Sequence, residues 1–530
     1  MFKISERRKW YIGFGICFLI ILALLSLLHS YITISIFLGI ILLVAVYDLL
    51  QKKHTILRNF PVLGHMRFIL EFFRPEIQQY FVASNESERP FDRQTRTLVY
   101  QRAKGINDTL PFGTERNITY PGYEWALHSL SPAHPDDVDP RIQVGNKQCR
   151  QPYQSSRLNI SAMSYGALSK HAIIALNKGA KMGNFCHNTG EGGLSEYHLQ
   201  GGDLTLQIGT GYFGFRTPDG DFDPDKFARK ANLEVVKMIE IKLSQGAKPA
   251  HGGVLPKSKL TPEIARIRDV PMDKDVLSPP SHSSFSTPEG LCHFIAQVRD
   301  LSNGKPVGFK LCLGRRTEFL SICKAMLKTG IYPDFITIDG AEGGTGAAPE
   351  EYVNHLGVPL EDAIAFVHNA LVGCNIREHI RLIASGKTAT GFDMVKRISL
   401  GADIINSARA MMLSLGCIQS KQCDRNTCPT GVATQNPRLY RALDVNDKAK
   451  RVYNFHKATM KSFSELVGAI GLKDPSDLSA SRIMRRIDEQ TVKSLDEVYQ
   501  YIKPGCLIDG ENIPEKYLKY WHQASAEKFS

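Results

Sequence analysis

The sequence contains no paired C-x-x-C motif, no run of Lys and Arg interleaved with aromatic residues, and no G-x-G-x-x-G opening a helix after its first strand pattern. The first absence removes the usual spacing of a closed zinc site. The second removes the footprint of a nucleic-acid surface, so nucleic acid is not an expected partner. The third disfavours a doubly wound dinucleotide fold. A disulfide framework is also missing: 11 cysteines, an odd number, are scattered through 530 residues, whereas such frameworks belong to short secreted domains. A reducing compartment and mostly buried thiols are expected instead. Hydrophobic content of 43% and charged content of 22% are ordinary for a globular chain, so disorder is not expected. The net charge of +12 suits a surface lying against anionic lipid.

Long apolar runs are confined to the amino terminus, at Tyr11–Leu28 and Ile32–Leu49, and neither carries a charge before Asp48. Each is close to the roughly 20 residues that cross a bilayer as a helix. His29, Ser30 and Tyr31 separate them, a break short enough for a helical hairpin. Lys3, Arg7, Arg8 and Lys9 precede the first run, and Lys52, Lys53, His54 and Arg58 follow the second. Positive flanks on both sides put both ends in the cytoplasm, with Trp10 and Tyr47 as interfacial aromatics. A signal peptide is disfavoured by the second run and by the lack of a small-residue cleavage pattern. Residues 1–50 are therefore expected to be a two-pass transmembrane hairpin, with the catalytic part cytoplasmic.

Residues 51–156 read as an accessory segment, with helical patterns at Arg67–Phe73 and Pro75–Phe81 and a polar loop at Ser84–Arg96. From 157 to about 410, short apolar runs alternate with helical stretches such as Ser169–Lys181 and Phe319–Thr329. The expected strands are Leu158–Ala162, Phe185–Thr189, Leu204–Ile208, Ile239–Leu243, Val276–Ser278, Val307–Leu311, Phe335–Ile338, Arg381–Ala384 and Asp403–Asn406. This alternation predicts an α/β chain folded as a (β/α)8 TIM barrel. Residues 438–530 read as a helical extension.

Chemistry in such a barrel sits at the carboxyl ends of the strands. Several unusual stretches fall there: Ser161–Gly166, Asn188–Gly193, Gln207–Gly214, Gly340–Gly346, Ser385–Thr388 and Asn406–Arg409. Ser385, Gly386, Ser407 and Arg409 are placed to hold a phosphate. Lys310 ends an apolar strand, and a lysine buried there must meet an anion or lose its charge. Glu191 is a candidate proton carrier or substrate-orienting group, and equally a structural carboxylate. The strongest motif is Cys417-x5-Cys423-x4-Cys428-Pro429. Soft thiolates at this spacing suit iron–sulfur or zinc, with three buried free thiols as the remaining reading.

Five stretches carry a family resemblance: ISAMSYGALS from Ile160, NTGEGG from Asn188, QGAKP from Gln245, GGTGAAP from Gly343 and NTCPTGVATQNP from Asn426. In order and spacing, the chain from about 157 to 437 resembles the FMN-binding synthase domain of glutamate synthase. The resemblance implies FMN in the barrel mouth and a three-iron 3Fe-4S cluster on Cys417, Cys423 and Cys428. It puts Met163, Ser164, Tyr165, Gln207, Lys310, Gly343, Gly344, Ser385, Gly386, Ser407 and Arg409 near FMN. It also implies reduction of the 2-imino acid formed from 2-oxoglutarate and ammonia.

Neither a glutaminase domain nor a pyridine-nucleotide module is visible, so a separate electron donor and a separate ammonia source are expected partners. Substrate loops depart from the family pattern: His251 replaces a glutamate in KPAHGG, and SPPSHSS from Ser278 replaces a run with paired histidines. Lys248, His251 and Arg315 are the expected substrate contacts for an amino or 2-oxo acid. Two other readings stand beside imine reduction. One is flavin-dependent oxidation of another amino or 2-hydroxy acid, with His251 as base. The other is a membrane-tethered electron-transfer subunit.

Overall fold

The structure, a computed structural model, describes residues 6–26, 32–510 and 513–529; Lys3 and the His29–Tyr31 break lie outside the described residues. The chain divides into two compact units, Met1–Arg93 and Gln94–Ser530.

In the first unit the two apolar runs form α1 (Glu6–Ser26) and α2 (Ile32–Leu50). Within α2, Thr33–Leu50 averages a hydropathy of 2.4 over 18 residues with 6% of it buried. It is the one described helix long and apolar enough to cross a membrane; the apolar part of α1 is shorter, Gly13–Leu24. Asp48 is fully buried in the last turn of α2. Its carboxylate accepts the Val62 N–H (2.9 Å) and lies 2.9 Å from His65 Nε2. The next helix, α3 (His65–Ile77), starts at that bracket and runs into a π-turn at Gln78–Val82. The two patterns expected on either side of Pro75 are thus one element. Pro75 lies near its carboxyl end, and the Gln78 N–H bonds back to the Arg74 and Pro75 carbonyls. The polar loop expected over Ser84–Arg96 ends early, because a helix starts at Arg93 and turns Arg96, Val99 and Ala103 inward.

The second unit is built on a closed barrel of eight parallel strands. These are β1 (Leu158–Ile160), β2 (His187–Asn188), β3 (Leu204–Ile208), β4 (Val236–Lys242), β5 (Val307–Leu311), β6 (Phe335–Asp339), β7 (Arg381–Ser385) and β8 (Ile404–Ser407). β8 closes on β1, with Ile405 opposite Leu158. Alternation explains the composition: Ile239 and Ile241 on β4 face the helical layer, while Met238, Glu240 and Lys242 face the interior. The covering helices include α4 (Lys170–Gly183), α5 (Pro224–Ala231), α7 (Pro288–Leu301), α8 (Arg316–Thr329), α9 (Leu360–Gly373) and α10 (Gly391–Ser399). Only a 3-10 turn, Glu196–His198, separates β2 from β3.

Eight of the nine expected strands line the barrel. Val276–Leu277 does not: it pairs antiparallel with Val254–Leu255 in an excursion between β4 and α7. Two-residue strands carry too little periodicity to separate a barrel member from a loop hairpin. The excursion also holds α6 (Pro262–Arg268). At the amino end of the barrel, the hairpin Arg141–Val144/Tyr153–Ser156 inserts Ile142 and Val144 beneath Met238, Phe335, Ile383 and Ile404. The floor is therefore apolar, and the polar chemistry is left to the other end.

After β8 come α11 (Arg409–Ser414) and the long α12 (Val445–Ala469), which packs on α4 and α10. The tail is not purely helical. Ile483–Arg486 and Val492–Ser494 join Glu124–Ala126 in a three-stranded antiparallel sheet. Strands of three or four residues left no legible alternation in a charged segment.

Candidate functional site

The barrel interior turns polar one layer above its floor. Glu240, on β4, is 1% exposed. Its carboxylate accepts from Asn188 Nδ2 (2.8 Å), Gln207 Nε2 (2.6 Å) and Thr337 Oγ1 (2.7 Å). Three strands are thereby tied to one acid through hydrogen bonds in a low-dielectric interior. The Glu240→Leu variant should lose about 1–3 kcal/mol for each donor left unmet. Urea unfolding checks this, and a loss below 1 kcal/mol overall would contradict the role.

One turn of the pleat higher, Lys242 donates to Glu191 Oε1 and to Gln245 Oε1, both at 2.7 Å. The Lys242 and Glu191 side chains are only 7% and 14% exposed. Ser278 Oγ donates to the other Glu191 oxygen at 3.3 Å. Burial by itself would raise the Glu191 pKa, but Lys242, Arg268 and Lys310 together hold the carboxyl below its ordinary value. Burial and the neighbouring Lys310 pull Lys242 below the usual lysine range, against the opposing pull of Glu191. Lys248 falls to about 8, through burial first and Lys242 second. Burial also brings Arg268 down to about 10.

Four cations thus gather around one carboxylate, with Asp339 as the other nearby acid. Asp339 is occupied in accepting the Gly246 N–H at 2.9 Å. Lys310 is 5% exposed, and its ammonium donates to no acceptor among the described residues. Arg268 Nε is likewise buried without a partner. Such a mouth carries surplus buried positive charge and unmet donors, which is the signature of an anion site.

Around this cluster lie the glycine loops. Arg268 Nη2 donates to Ser164 Oγ (3.3 Å) and the Tyr165 carbonyl (3.1 Å), joining α6 to the loop after β1. Gly190, at φ 66°, crosses that loop so closely that a Cβ would stand 2.7 Å from Ser164 N. Met163 and Tyr165 are buried, and the Tyr165 hydroxyl donates to Glu263 at 2.6 Å. Gln207 spends its amide N–H on Glu240, inside the barrel. Arg409 Nη2 donates to the Glu342 carbonyl, and its side chain covers Gly344, where a Cβ would meet Arg409 Cδ at 2.7 Å. Gly343 packs on the Gly340 carbonyl. Ser385 Oγ is 3.1 Å from Ser161 Oγ, and Ser407 Oγ donates to the Thr388 carbonyl. The loops after β1, β6, β7 and β8 are thereby interlocked.

The expected substrate contacts separate. Lys248 lies with the cation cluster, and its ammonium donates to the Ala347 carbonyl at 2.7 Å. His251 has a buried, unpartnered Nδ1 and stands edge-on to Tyr352. Arg315 has a side chain 66% exposed, 3.8 Å from Glu318 at the start of α8, and no contact joins it to the cluster. Lys242 and Arg268 were not singled out from sequence. Lys242 had a readable signal, since it alternates with Glu240 on β4. Arg268 had none, because a helix about 100 residues downstream of β1 delivers it.

Cys417, Cys423 and Cys428 are free thiols in the loop after α11. They lie near enough for their charges to interact. Burial pushes Cys417 up to about 12 and also raises Cys423. Backbone sits close to sulfur here, with the Gln419 N–H donating to Cys417 Sγ at 3.4 Å. Lys259, 2% exposed, donates to the Ala167 carbonyl (2.8 Å) and the Cys423 carbonyl (3.0 Å). Gln435 Nε2 donates to the Gly166 and Leu168 carbonyls. The cysteine loop is therefore stitched to the loop after β1. Among the described residues, no three His, Cys, Asp or Glu side chains converge tightly enough for a single metal ion.

Residues 127–473 match the family model described as a conserved region in glutamate synthase. The chain is 36% identical to the glutamate synthase large subunit-like protein YerD of Bacillus subtilis, over 91% of this chain and 99% of that one. It is 35% identical to the archaeal glutamate synthase [NADPH] of Methanocaldococcus jannaschii, over 61% of this chain and 60% of that one. Against the glutamate synthase [NADPH] large chain of Bacillus subtilis the match is 32%, over 60% of this chain but only 20% of the relative. The chain thus spans nearly all of the first relative and about 60% or less of the other two.

Proposed function

Because this chain belongs to the glutamate synthase family, we propose that it is an FMN- and iron–sulfur-dependent oxidoreductase that reduces a 2-imino acid, formed from 2-oxoglutarate and ammonia, to an amino acid. The observation that carries this reading is the buried mouth in which Lys242, Lys248, Arg268 and Lys310 surround Glu191. A dicarboxylate brings the negative charge that this mouth lacks. A neutral or cationic substrate would leave the surplus unmet.

The residues present fit both cofactors. Unpartnered donors on Lys310 and Arg268 suit the electron-rich edge of an isoalloxazine or a substrate carboxylate. Gly386, at φ 153°, takes a backbone conformation that side chains disfavour in the loop after β7, where a phosphate would approach. For a 3Fe-4S cluster the donor set is three soft thiols, and Cys417, Cys423 and Cys428 would hold it as thiolates. When bound, FMN supplies hydride chemistry at the imine carbon and the cluster supplies single electrons.

The chain's own residues do the rest. Arg268 and Lys248 bind carboxylate, and Lys242 holds Glu191 ionised and aimed into the mouth. Glu191, held as an anion by Lys242, balances the charge of a protonated imine and orients it. Electrons come from a separate donor and ammonia from a separate source. Helices α1 and α2 anchor the chain as a two-pass hairpin with the barrel in the cytoplasm.

The test is made on anaerobically purified full-length protein. A flavin spectrum with three iron to four labile sulfide is expected, and reduced flavin should be reoxidised by 2-oxoglutarate only when ammonium is present. Reoxidation by neither 2-oxoglutarate nor any other 2-oxo acid would reject the reaction. His251→Ala should keep both flavin and turnover; loss of turnover alone would favour oxidation of an amino or 2-hydroxy acid.

A further inference from the structure

The first unit carries an apolar surface that the barrel chemistry does not use. No residue of α3 is buried. Met66, Leu70, Phe73 and Ile77 recur at steps of four, three and four, so they share one helix face, and Phe81 extends it in the π-turn that follows. Phe72 is 75% exposed and Phe81 is 85% exposed. Ile69 and Phe72 widen the stripe on one flank, and Arg67, Glu71 and Arg74 lie on the other, with Arg67 and Glu71 paired at 3.0 Å. Lone exposed hydrophobics are ordinary, but a continuous stripe of this size marks an interaction surface.

What covers it follows from where α3 begins. Asp48 lies at the end of the apolar span Thr33–Leu50. Its carboxylate holds both Val62 N and His65, the first residue of α3. The amphipathic helix is therefore hydrogen-bonded to the point at which α2 would leave a bilayer. Exposed Lys52, Lys53 and Arg58 lie between the two helices, and Arg67 and Arg74 add charge on the polar flank. Apolar side chains on one face and cations along its flank match the boundary between acyl chains and anionic headgroups.

We infer that α3 with its π-turn is an in-plane membrane helix, docked on the anionic lipid surface at the exit of α2 and bracketed there by Asp48. The inference rests on the membrane reading of α2, and it assigns a second, separate contact with lipid.

The test uses full-length protein in phosphatidylcholine/phosphatidylglycerol vesicles carrying brominated acyl chains. Phe73→Trp and Leu42→Trp are each compared with the parent, whose three tryptophans give the background. Trp at 73 should be quenched several-fold more by shallow than by deep bromines and shielded from aqueous iodide. Trp at 42 should be quenched most by deep bromines. Iodide access at 73, or shielding from iodide without quenching by bromine, overturns the inference; the second result means that protein, a second copy or the chain's own barrel, covers the face. Deep quenching at 42 with no lipid contact at 73 sinks the in-plane helix and leaves the span intact. Shallow quenching at 73 without quenching at 42 sinks the span and keeps the helix. No vesicle binding sinks both.

Discussion

Replacing Glu191 by alanine should cost about 3–5 kcal/mol of folding stability, the range for removing one partner of a buried ion pair. The pair is Lys242 with Glu191 at 2.7 Å, both largely buried. The effect should be lopsided. Without Glu191, four buried cations lose their shared counterion. Lys242→Met leaves Glu191 still bonded to Ser278 and still beside Arg268 and Lys310, so its loss should be smaller, about 1–3 kcal/mol. A dicarboxylate should partly rescue the Glu191 variant, because a ligand at 100 times its Kd adds about 2.7 kcal/mol. Urea denaturation of both variants, with and without 2-oxoglutarate, reads all three effects. Equal losses without rescue would mean that the cluster is an ordinary structural ion pair. Turnover should fall by orders of magnitude in the Glu191 variant, because the same carboxylate orients the protonated imine in the proposed reaction.

The pH dependence has two parts with defined signs. The folded pKa of Glu191 lies below its unfolded value of about 4.3. Its contribution is therefore complete above that value and disappears as pH falls through the folded pKa. Lys248 runs the other way. Its folded pKa is about 8, against about 10.4 in the unfolded chain. Across that window the unfolded chain holds a proton that the folded chain has released, so stability rises with pH. The acid slope should shrink in Glu191→Ala and the alkaline slope in Lys248→Met, each by one group's share, since Glu263 and Glu361 are also lowered and Lys259 and Lys305 also fall to about 8.

Where the sequence was legible, physics had left a local signature. Leu204–Ile208 and Val307–Leu311 match the observed strands residue for residue, because five consecutive apolar or inward-facing positions between turns admit little else. The helical stretch expected over Ser169–Lys181 is α4, where the Ser169 hydroxyl accepts the Ala172 N–H at its start. Where the sequence was silent, the determinant was tertiary. Val276–Leu277 looked like any other strand, and only its partner Val254–Leu255 excludes it from the barrel. Glu240 sat unremarked in VKMIEIKL, because its meaning depends on Asn188, Gln207 and Thr337 arriving from three other strands. Arg315 drew notice as a charge beside a strand end, yet the cation that reaches the mouth is Arg268, delivered by the excursion. Charge near a motif is visible in sequence; the direction a side chain takes from a loop is not.

Replacing Cys428 by serine should empty the proposed iron–sulfur site while sparing the barrel. Cys428 is 4% exposed and lies 3.5 Å from Thr430 Oγ1, so the smaller hydroxyl fits with little strain. Serine is a poor ligand for iron in a thiolate cluster, and a three-iron site with two remaining thiols lacks one corner. Iron and labile sulfide should fall together to near zero while FMN stays bound, because the flavin loops are interlocked among themselves. Reduction of the flavin by an external one-electron donor should slow sharply once the relay is gone. Reoxidation of already reduced flavin by 2-oxoglutarate and ammonium should persist, because that step uses the barrel mouth alone. Cys292→Ser is the control: this thiol is buried within α7, and its loss should leave the iron content unchanged. One equivalent of zinc and no iron in the parent protein would reverse the assignment. Equal iron in the Cys428 and Cys292 variants would remove the cysteine loop from it altogether. The split between lost electron entry and retained imine reduction is the sharper reading, since a variant that merely misfolds would lose both.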